Sequence, residues 1–170
     1  MAALEWSDGL ALDLPLMDDT HQEFVELLQA VDRADDAHIL AAWQALVDHT
    51  DAHFAQEDRW MQATRFASTN CHSLQHKVVL QVMREGTQRA EQGELNVLRG
   101  MASELAIWFP QHTQSMDAAL ALHLRRVGFD AATGVVSAPA ELPADLIQGC
   151  GGACSTNDEP TAPERLPVAA

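Results

Sequence analysis

Histidines and acidic residues recur along this chain at spacings that suit metal binding. His53 and Glu57 are four residues apart, and His72 and His76 repeat that interval, so each pair would share one face of a helix. The other candidates of the same chemical types are His21, His112 and Asp117. The seven side chains form a set of five imidazoles and two carboxylates, which are ligand types that hold metal ions in proteins.

The seven residues together are stronger evidence for a metal site than any single histidine. One histidine on an apolar stripe is usually a core or surface residue that a hydrogen bond satisfies. Here, however, all seven side chains fall on the inward stripes of four successive predicted helices. Burying so many polar groups without partners would cost several kcal/mol, whereas a shared metal centre would satisfy them together.

The ligand types also narrow the choice of metal. Imidazole and carboxylate without thiolate argue against an iron–sulfur cluster or a structural zinc site. They favour non-haem iron, with manganese or zinc as less favoured alternatives. Because so many ligands exceed what one ion can take, we expect two iron ions bridged by Glu57 and Asp117.

Four helices must position these residues. Apolar residues recur at helical spacing over roughly 19–33, 37–64, 71–93 and 95–126, with capping residues for the third helix at 68–70. This pattern predicts an all-α, up-down four-helix bundle, preceded by an extended arm over residues 1–17. Gly128 would end the last helix.

One ligand pair does not fit a regular helix. His112 and Asp117 are five residues apart, which turns Asp117 by about 140° from His112. Pro110 cannot donate to the carbonyl four residues earlier, so a kink just before His112 is expected. A π-bulge is the other way in which both side chains reach one site.

Composition limits the class of partner. The chain of 170 residues has 10 Lys+Arg against 25 Asp+Glu and a formal net charge of −15. This acidity disfavours binding to nucleic acid or to an anionic membrane surface. The first residues have no signal-peptide pattern and no long apolar run follows, so we expect a soluble, cytoplasmic protein, with a monomer favoured.

The chain changes character after residue 129. Residues 1–129 make up the predicted bundle with its arm, whereas residues 130–170 are rich in Pro, Gly, Ala, Ser and Thr without a helical period. We expect that second stretch to be a flexible tail. Its Cys150 and Cys154 could form a disulfide or a redox-linked docking site, but an inert tail is the favoured interpretation.

With these residues in place, the sequence resembles the hemerythrin family in its bacterial single-domain form. The matching stretches are DDTHQEF around His21, HFAQEDRWM, HSLQH and WFPQHTQSMD, and the resemblance covers roughly residues 4–127. It implies that one iron is held by His72, His76 and His112. It implies that His21 and His53 hold the other iron, with Glu57, Asp117 and an oxo or hydroxo group as bridges.

The resemblance further implies reversible binding of O2, in a carrier, storage or delivery role and not as an enzyme. The two-histidine iron would have one ligand fewer, and O2 would be held there as a hydroperoxide. Trp108, Phe109 and Thr113 would line the O2 pocket. Phe109 stands where the family commonly has Leu, and Thr113 where Ile is usual. A redox partner that restores the ferrous state is left open.

Other functions stay open at this point. A sensor would report O2 or redox state through the C-terminal tail. An enzyme would handle peroxide, NO or iron, although relatives that repair iron centres carry a second bridging Glu and lack the His-x4-Asp spacing. A bundle that metal merely stabilises is the plainest alternative.

Four polar residues lie outside the predicted ligand set. His49 is expected to be structural, with a hydrogen bond to a ligand as the alternative, and Asp58 is expected to be solvated or to contact a ligand. His38 and His123 are expected to be surface or helix-end residues.

Overall fold

The computed structural model describes residues 4–66 and 71–145 of the chain. Four long helices follow one another: α1 (Pro15–Arg33), α2 (Ile39–Ala63), α3 (Cys71–Glu91) and α4 (Asn96–His112). A π-helical segment, Thr113–Asp117, joins α4 without a break to α5 (Ala118–Arg126). Each long helix packs against the next, and α4 returns to α1. The predicted all-α four-helix bundle is confirmed.

Two apolar clusters fill the bundle at different heights along the helices. The first, here called the main core, includes Trp43 and Leu46 of α2 with Phe24 of α1 and Phe109 of α4. The second, here called the end cluster, is built around residues from the other ends of these helices: Met17, Trp60, Met61, Phe66, Leu120 and Leu124. The candidate ligand residues lie between the two clusters in the order of the chain.

The first helix begins earlier than residue 19. Pro15 is its first residue, where the missing N–H of proline leaves no hydrogen bond unmade. The carboxylate of Asp18 accepts hydrogen bonds from the backbone N–H groups of Leu12 (2.8 Å) and Leu14 (3.2 Å). Asp18 therefore ties down the start of α1 from inside the helix.

The N-terminal arm packs against the bundle. It is mostly extended, apart from one 3-10 turn at Asp8–Leu10. Leu4 and Trp6 pack against the main core, and Leu10 is buried. The backbone carbonyl of Leu4 also accepts a hydrogen bond of 2.8 Å from the side chain of Gln29 in α1.

The last helix ends at the predicted glycine. Gly128 has a φ of 61°, and its N–H donates to the carbonyl of Arg125 (3.1 Å) while that of Phe129 donates to the carbonyl of Leu124 (2.9 Å). This pairing is a Schellman motif. A Cβ at position 128 would lie 2.2 Å from the Oγ atom of Ser137, so glycine is needed for both the turn and the packing.

The chain after Gly128 folds back onto the bundle, although the sequence predicted a flexible tail from residue 130. Val136 forms an isolated β-bridge with Phe129, and Val136 and Leu142 pack against the end cluster. Arg65 donates a hydrogen bond of 3.1 Å to the carbonyl of Pro143. A few scattered apolar residues are enough for this docking, and they leave no periodic signal in the sequence.

Two stretches with predictions fall outside the described residues. They are the capping residues at 68–70 and the C-terminal residues 146–170, which include Cys150 and Cys154. Among the helices that the structure describes, none combines the length and the apolar character that a membrane span requires.

Candidate metal centre

The seven candidate ligand residues meet in one buried layer of the bundle. None of them is more than 4% exposed. Helix α1 contributes one, α2 and α3 two each, and the last residues of α4 and of the π-helical segment one each: His21, His53, Glu57, His72, His76, His112 and Asp117. The spacing of these residues was thus enough to predict that their side chains meet.

Glu57 reaches both sides of this layer. Its Oε1 atom lies 2.9 Å from Nε2 of His53 and 3.6 Å from Nε2 of His21. Its Oε2 atom lies 3.3 Å from Nε2 of His72 and 3.4 Å from Nε2 of His76. One carboxylate oxygen therefore faces the histidines of α1 and α2, and the other faces those of α3.

Asp117 divides its oxygens in the same way. Its Oδ2 atom lies 3.3 Å from Nε2 of His21, while Oδ1 lies 2.9 Å from Nε2 of His72 and 3.1 Å from Nε2 of His112. Two donor atoms that are each about 2.1 Å from a metal ion and at right angles to each other are about 3 Å apart. The distances around both carboxylates match that spacing.

The layer consequently has two unequal halves. The three-histidine half has the donors of His72, His76 and His112 with one oxygen each from Glu57 and Asp117, and these atoms lie within 4.8 Å of one another. The two-histidine half has His21, His53 and the same two carboxylates. The first half thus offers five protein donors and the second half four.

The buried donor atoms fit a pair of metal ions. Among the described residues, several of them have no well-directed hydrogen bond: Nε2 of His21, Nε2 of His72, Oε2 of Glu57 and both carboxylate oxygens of Asp117. Each unsatisfied buried polar group costs about 1–3 kcal/mol. Metal ions would satisfy all of these atoms at once, and imidazole with carboxylate is a donor set that suits iron.

The two carboxylates and the imidazoles around them shift one another's pKa values. Burial lowers the pKa of His21, but interactions with Asp117 and Glu57 outweigh it and raise that pKa to about 9. The same balance raises the pKa of His72 to about 10. Burial raises the pKa values of Glu57 and Asp117, yet the surrounding imidazoles hold both well below their usual range. Metal ions would therefore displace protons from this layer when they bind.

The π-helical segment brings His112 and Asp117 to the same site. The N–H of Ala118 donates to the carbonyl of Thr113, five residues earlier, so the segment is wound more widely than an α-helix. Residues that are five apart then lie about one turn from each other. Of the two predicted routes, the structure has the π-bulge, and it begins three residues after Pro110.

Two of the histidines are supported from outside the layer. Oε1 of Gln75 lies 3.3 Å from Nδ1 of His112 and accepts a hydrogen bond of 3.4 Å from Nε1 of Trp108. Oδ1 of Asp58 lies 3.4 Å from Nδ1 of His76. Asp58 thus contacts a ligand, one of its two predicted positions, whereas sequence reasoning missed Gln75 even though it directly precedes His76.

Aromatic rings lie flat on the same two histidines. The ring of Phe54 stacks on that of His76 with centroids 3.9 Å apart and planes at 5°. Trp108 stacks on His112 at 4.4 Å and 27°. Sequence reasoning also missed Phe54, although its place next to His53 was visible. These stacks fix the orientation of two imidazoles in the three-histidine half.

Two of the three predicted pocket residues contact histidines of different halves. Phe109 is buried, meets His21 edge-on at 5.3 Å and stacks on Phe24 at 4.3 Å. Thr113 is fully buried. Trp108 is on the side of His112, in the three-histidine half.

The histidines outside the layer have structural contacts. Nε2 of His49 lies 3.1 Å from the carbonyl of Thr20, which links α2 to α1 as the favoured interpretation expected. His38 is exposed beside Asp35. His123 is in the last turn of α5 but buried, and its Nε2 lies 2.9 Å from the carbonyl of Thr64.

Comparison with known proteins identifies the family. The family model described as the Hemerythrin HHE cation binding domain matches residues 12–122, a range that includes all seven candidate ligand residues. This chain belongs to the hemerythrin family. The buried layer and the hemerythrin match together support a metal site, which in this family is usually a di-iron site.

Curated relatives of this hemerythrin carry the name Bacteriohemerythrin. One from Ralstonia nicotianae is 37% identical over 131 residues, which cover 77% of this chain and 96% of the relative. Another, from Pseudomonas paraeruginosa, is 28% identical over 124 residues, with 69% of this chain and 79% of the relative covered. A third, from Stenotrophomonas maltophilia, is 27% identical over 125 residues, 71% of this chain and 81% of the relative. No solved structure matches the chain at a significant level.

Proposed function

We propose that this protein binds O2 reversibly at a non-haem di-iron centre, as a carrier, store or delivery module and not as an enzyme. The observation that carries the proposal is the unequal number of donors in the two halves of the buried layer. A bridging oxygen atom would bring the three-histidine ion to six ligands and the two-histidine ion to five. The open position is then beside His21 and His53.

The ligand roles follow from the distances. His72, His76 and His112 would hold one iron, and His21 and His53 the other. Glu57 and Asp117 would bridge them, because each turns one oxygen to either half. An oxo or hydroxo group would complete the bridge. A pair of iron ions held by these residues would supply the reversible two-electron chemistry that O2 binding requires.

The surroundings favour storage of O2 over its activation. The layer is closed on one side by the main core and on the other by the end cluster, so bulk water is excluded. Phe109 packs edge-on against His21 and keeps this side apolar. Only two carboxylates are present in the layer, whereas sites that activate O2 are usually rich in carboxylates.

Two residues of the predicted pocket would be next to bound O2. Phe109 and Thr113 belong to the stretch of chain that faces His21, and both are buried. Trp108 would act from the other half, where its ring stacks on His112 and its Nε1 donates to Gln75. We assign Trp108 to holding His112 in place.

Oxygenation of the reduced protein tests the proposal. The purified protein is loaded with iron, reduced without air and exposed to O2, while the charge-transfer absorption of the centre is followed. Bands that appear with O2 and disappear under vacuum over repeated cycles support a carrier. One-way oxidation, with turnover of added peroxide or NO, would instead favour the enzyme alternative.

A further inference from the structure

Thr113 differs from the other threonines that the structure describes within the helices or directly after them. Thr50 and Thr64 are equally buried, and each donates its hydroxyl to the backbone carbonyl four residues earlier at 2.7 Å. Thr20 and Thr87 make the same bond at the longer distances of 2.8 and 3.3 Å. The hydroxyl of Thr113 is buried and has no hydrogen-bond partner in the described part of the chain.

The helix changes its winding at Thr113. The carbonyl four residues earlier belongs to Phe109 in the last turn of α4, and the π-helical segment begins at Thr113 itself. The N–H of Thr113 donates to that carbonyl and to the carbonyl of Pro110 as well. A threonine hydroxyl normally finds its partner in the preceding turn of its own helix. Here the hydroxyl is left free to bond to something that is not part of its helix.

The position of Thr113 indicates which half of the layer it faces. Phe109 and Thr113 are four residues apart, so they lie about one turn from each other on one side of the helix. The ring of Phe109 meets His21 edge-on, and Oδ2 of Asp117, at the end of the π-helical segment, lies 3.3 Å from Nε2 of His21. Thr113 lies along the chain between these two contacts with His21, which assigns it to the side of the two-histidine half.

We infer that the Thr113 hydroxyl donates a hydrogen bond to the small ligand in the open position of the two-histidine half. This inference rests on the proposed function for the existence of that position. The ligand class is a small molecule or anion that carries negative charge on its bound atom, because such an atom accepts a hydrogen bond strongly. The hydroxyl makes this pocket selective for hydrogen-bond acceptors, which an aliphatic side chain at position 113 would not do.

Azide binding to the oxidised, iron-loaded protein measures this hydrogen bond directly. Thr113→Val keeps the shape of the side chain and removes the hydroxyl, and we expect it to bind azide about tenfold more weakly. Thr113→Ser keeps the hydroxyl and restores the affinity. Thr64→Val is the matched control, because it removes an equally buried hydroxyl away from the layer, and it leaves azide affinity unchanged.

The metal-free protein provides a second readout. Without a ligand to accept its bond, the hydroxyl of Thr113 is a buried donor with no partner. Thr113→Val should therefore raise the melting temperature of the metal-free protein by about 2–4 °C. Thr64→Val should lower it, because its hydroxyl loses a bond to the carbonyl of Trp60. If Thr113→Val does not load iron, Thr113→Ala takes its place in the azide titration.

The outcomes separate this inference from the proposed function. Wild-type azide affinity in the Thr113 variants that lack the hydroxyl overturns the inference, and so does a lower melting temperature of metal-free Thr113→Val. A wild-type protein that loads iron but binds no azide also overturns it. If azide binding depends on Thr113 while O2 oxidises the reduced protein irreversibly, the inference stands and the proposed function fails.

Discussion

The two halves of the buried layer differ most in how their histidines are held from outside. In the three-histidine half, Gln75 lies 3.3 Å from Nδ1 of His112 and Asp58 lies 3.4 Å from Nδ1 of His76. Aromatic rings lie flat on both imidazoles. These imidazoles cannot turn without breaking a polar contact and a stacked contact together.

The two-histidine half has no comparable support. Among the described residues, the Nδ1 atoms of His21 and His53 have no hydrogen-bond partner, which is also true of Nδ1 of His72, and neither has a carboxylate beside it as His76 has Asp58. Phe109 meets His21 by its edge, at an interplanar angle of 89°. A nearby hydroxyl, that of Thr113, also lacks a partner. Under the proposed function, the three-histidine half would hold an ion with a complete ligand shell, and the two-histidine half would leave room for a ligand.

The largest effect is expected at the residue that belongs to both halves. Glu57→Gln keeps the shape but removes the charge that faces four imidazoles, so neither ion should be held, and iron content should fall to near zero. The metal-free protein should lose about 3–5 kcal/mol of unfolding free energy, because buried partners lose their counter-charge. Metal analysis and denaturant unfolding measure these two changes.

Asp51→Asn is the control for Glu57→Gln, because Asp51 is an exposed carboxylate of the same helix that pairs with Arg84 and not with an imidazole. A Glu57→Gln protein that still binds two irons per chain would show that this carboxylate is not the bridge.

The next largest effect is expected from a change that affects the two-histidine half alone. His53→Ala removes one donor from the half that has only four, so the loaded protein should keep one iron where the wild type holds two. Its melting temperature should also fall, because metal binding contributes to folding free energy here. Iron analysis and thermal unfolding of the same samples check both. Equal melting temperatures for the iron-loaded and metal-free wild type would contradict the link between metal and stability.

A smaller effect on iron affinity is expected when the contact of Asp58 with His76 is weakened. Asp58→Asn weakens the contact with Nδ1 of His76, and we expect an approximately tenfold loss of iron affinity. Asp51→Asn is the matched control, since Asp51 is an exposed residue on the same helix that pairs with Arg84 at 2.8 Å. Competition with a chelator compares the two variants. If Asp58→Asn and Asp51→Asn lose iron affinity equally, the loss comes from the change in net charge and not from the contact with His76.

Sequence spacing was enough to predict the bundle and the meeting of the seven side chains. Residues four apart on an α-helix lie on the same face, so the sequence was enough to place His53 and Glu57 together. The interval of five between His112 and Asp117 likewise required a distortion, and a π-bulge was one of the two predicted. That these residues bind iron stays a prediction until the metal is measured.

Other features depend on contacts that spacing does not describe. The hydroxyl of Thr113 lacks a partner at the residue where the helix changes its winding, whereas Thr50 and Thr64, identical in type and burial, bond to the preceding turn. The burial of His123 depends on Thr64, which is remote in sequence. The docking of Val136 and Leu142 follows from the turn at Gly128 and two apolar contacts, too few to stand out in the composition.

Diffraction at the iron absorption edge from crystals of the iron-loaded protein would show how many ions the buried layer holds and which donors each has. The proposed function predicts two anomalous peaks inside that layer. One has five protein donors, including His72, His76 and His112, and the other has four and an open position towards Thr113. A single peak, or two ions with equal numbers of protein donors, would contradict it.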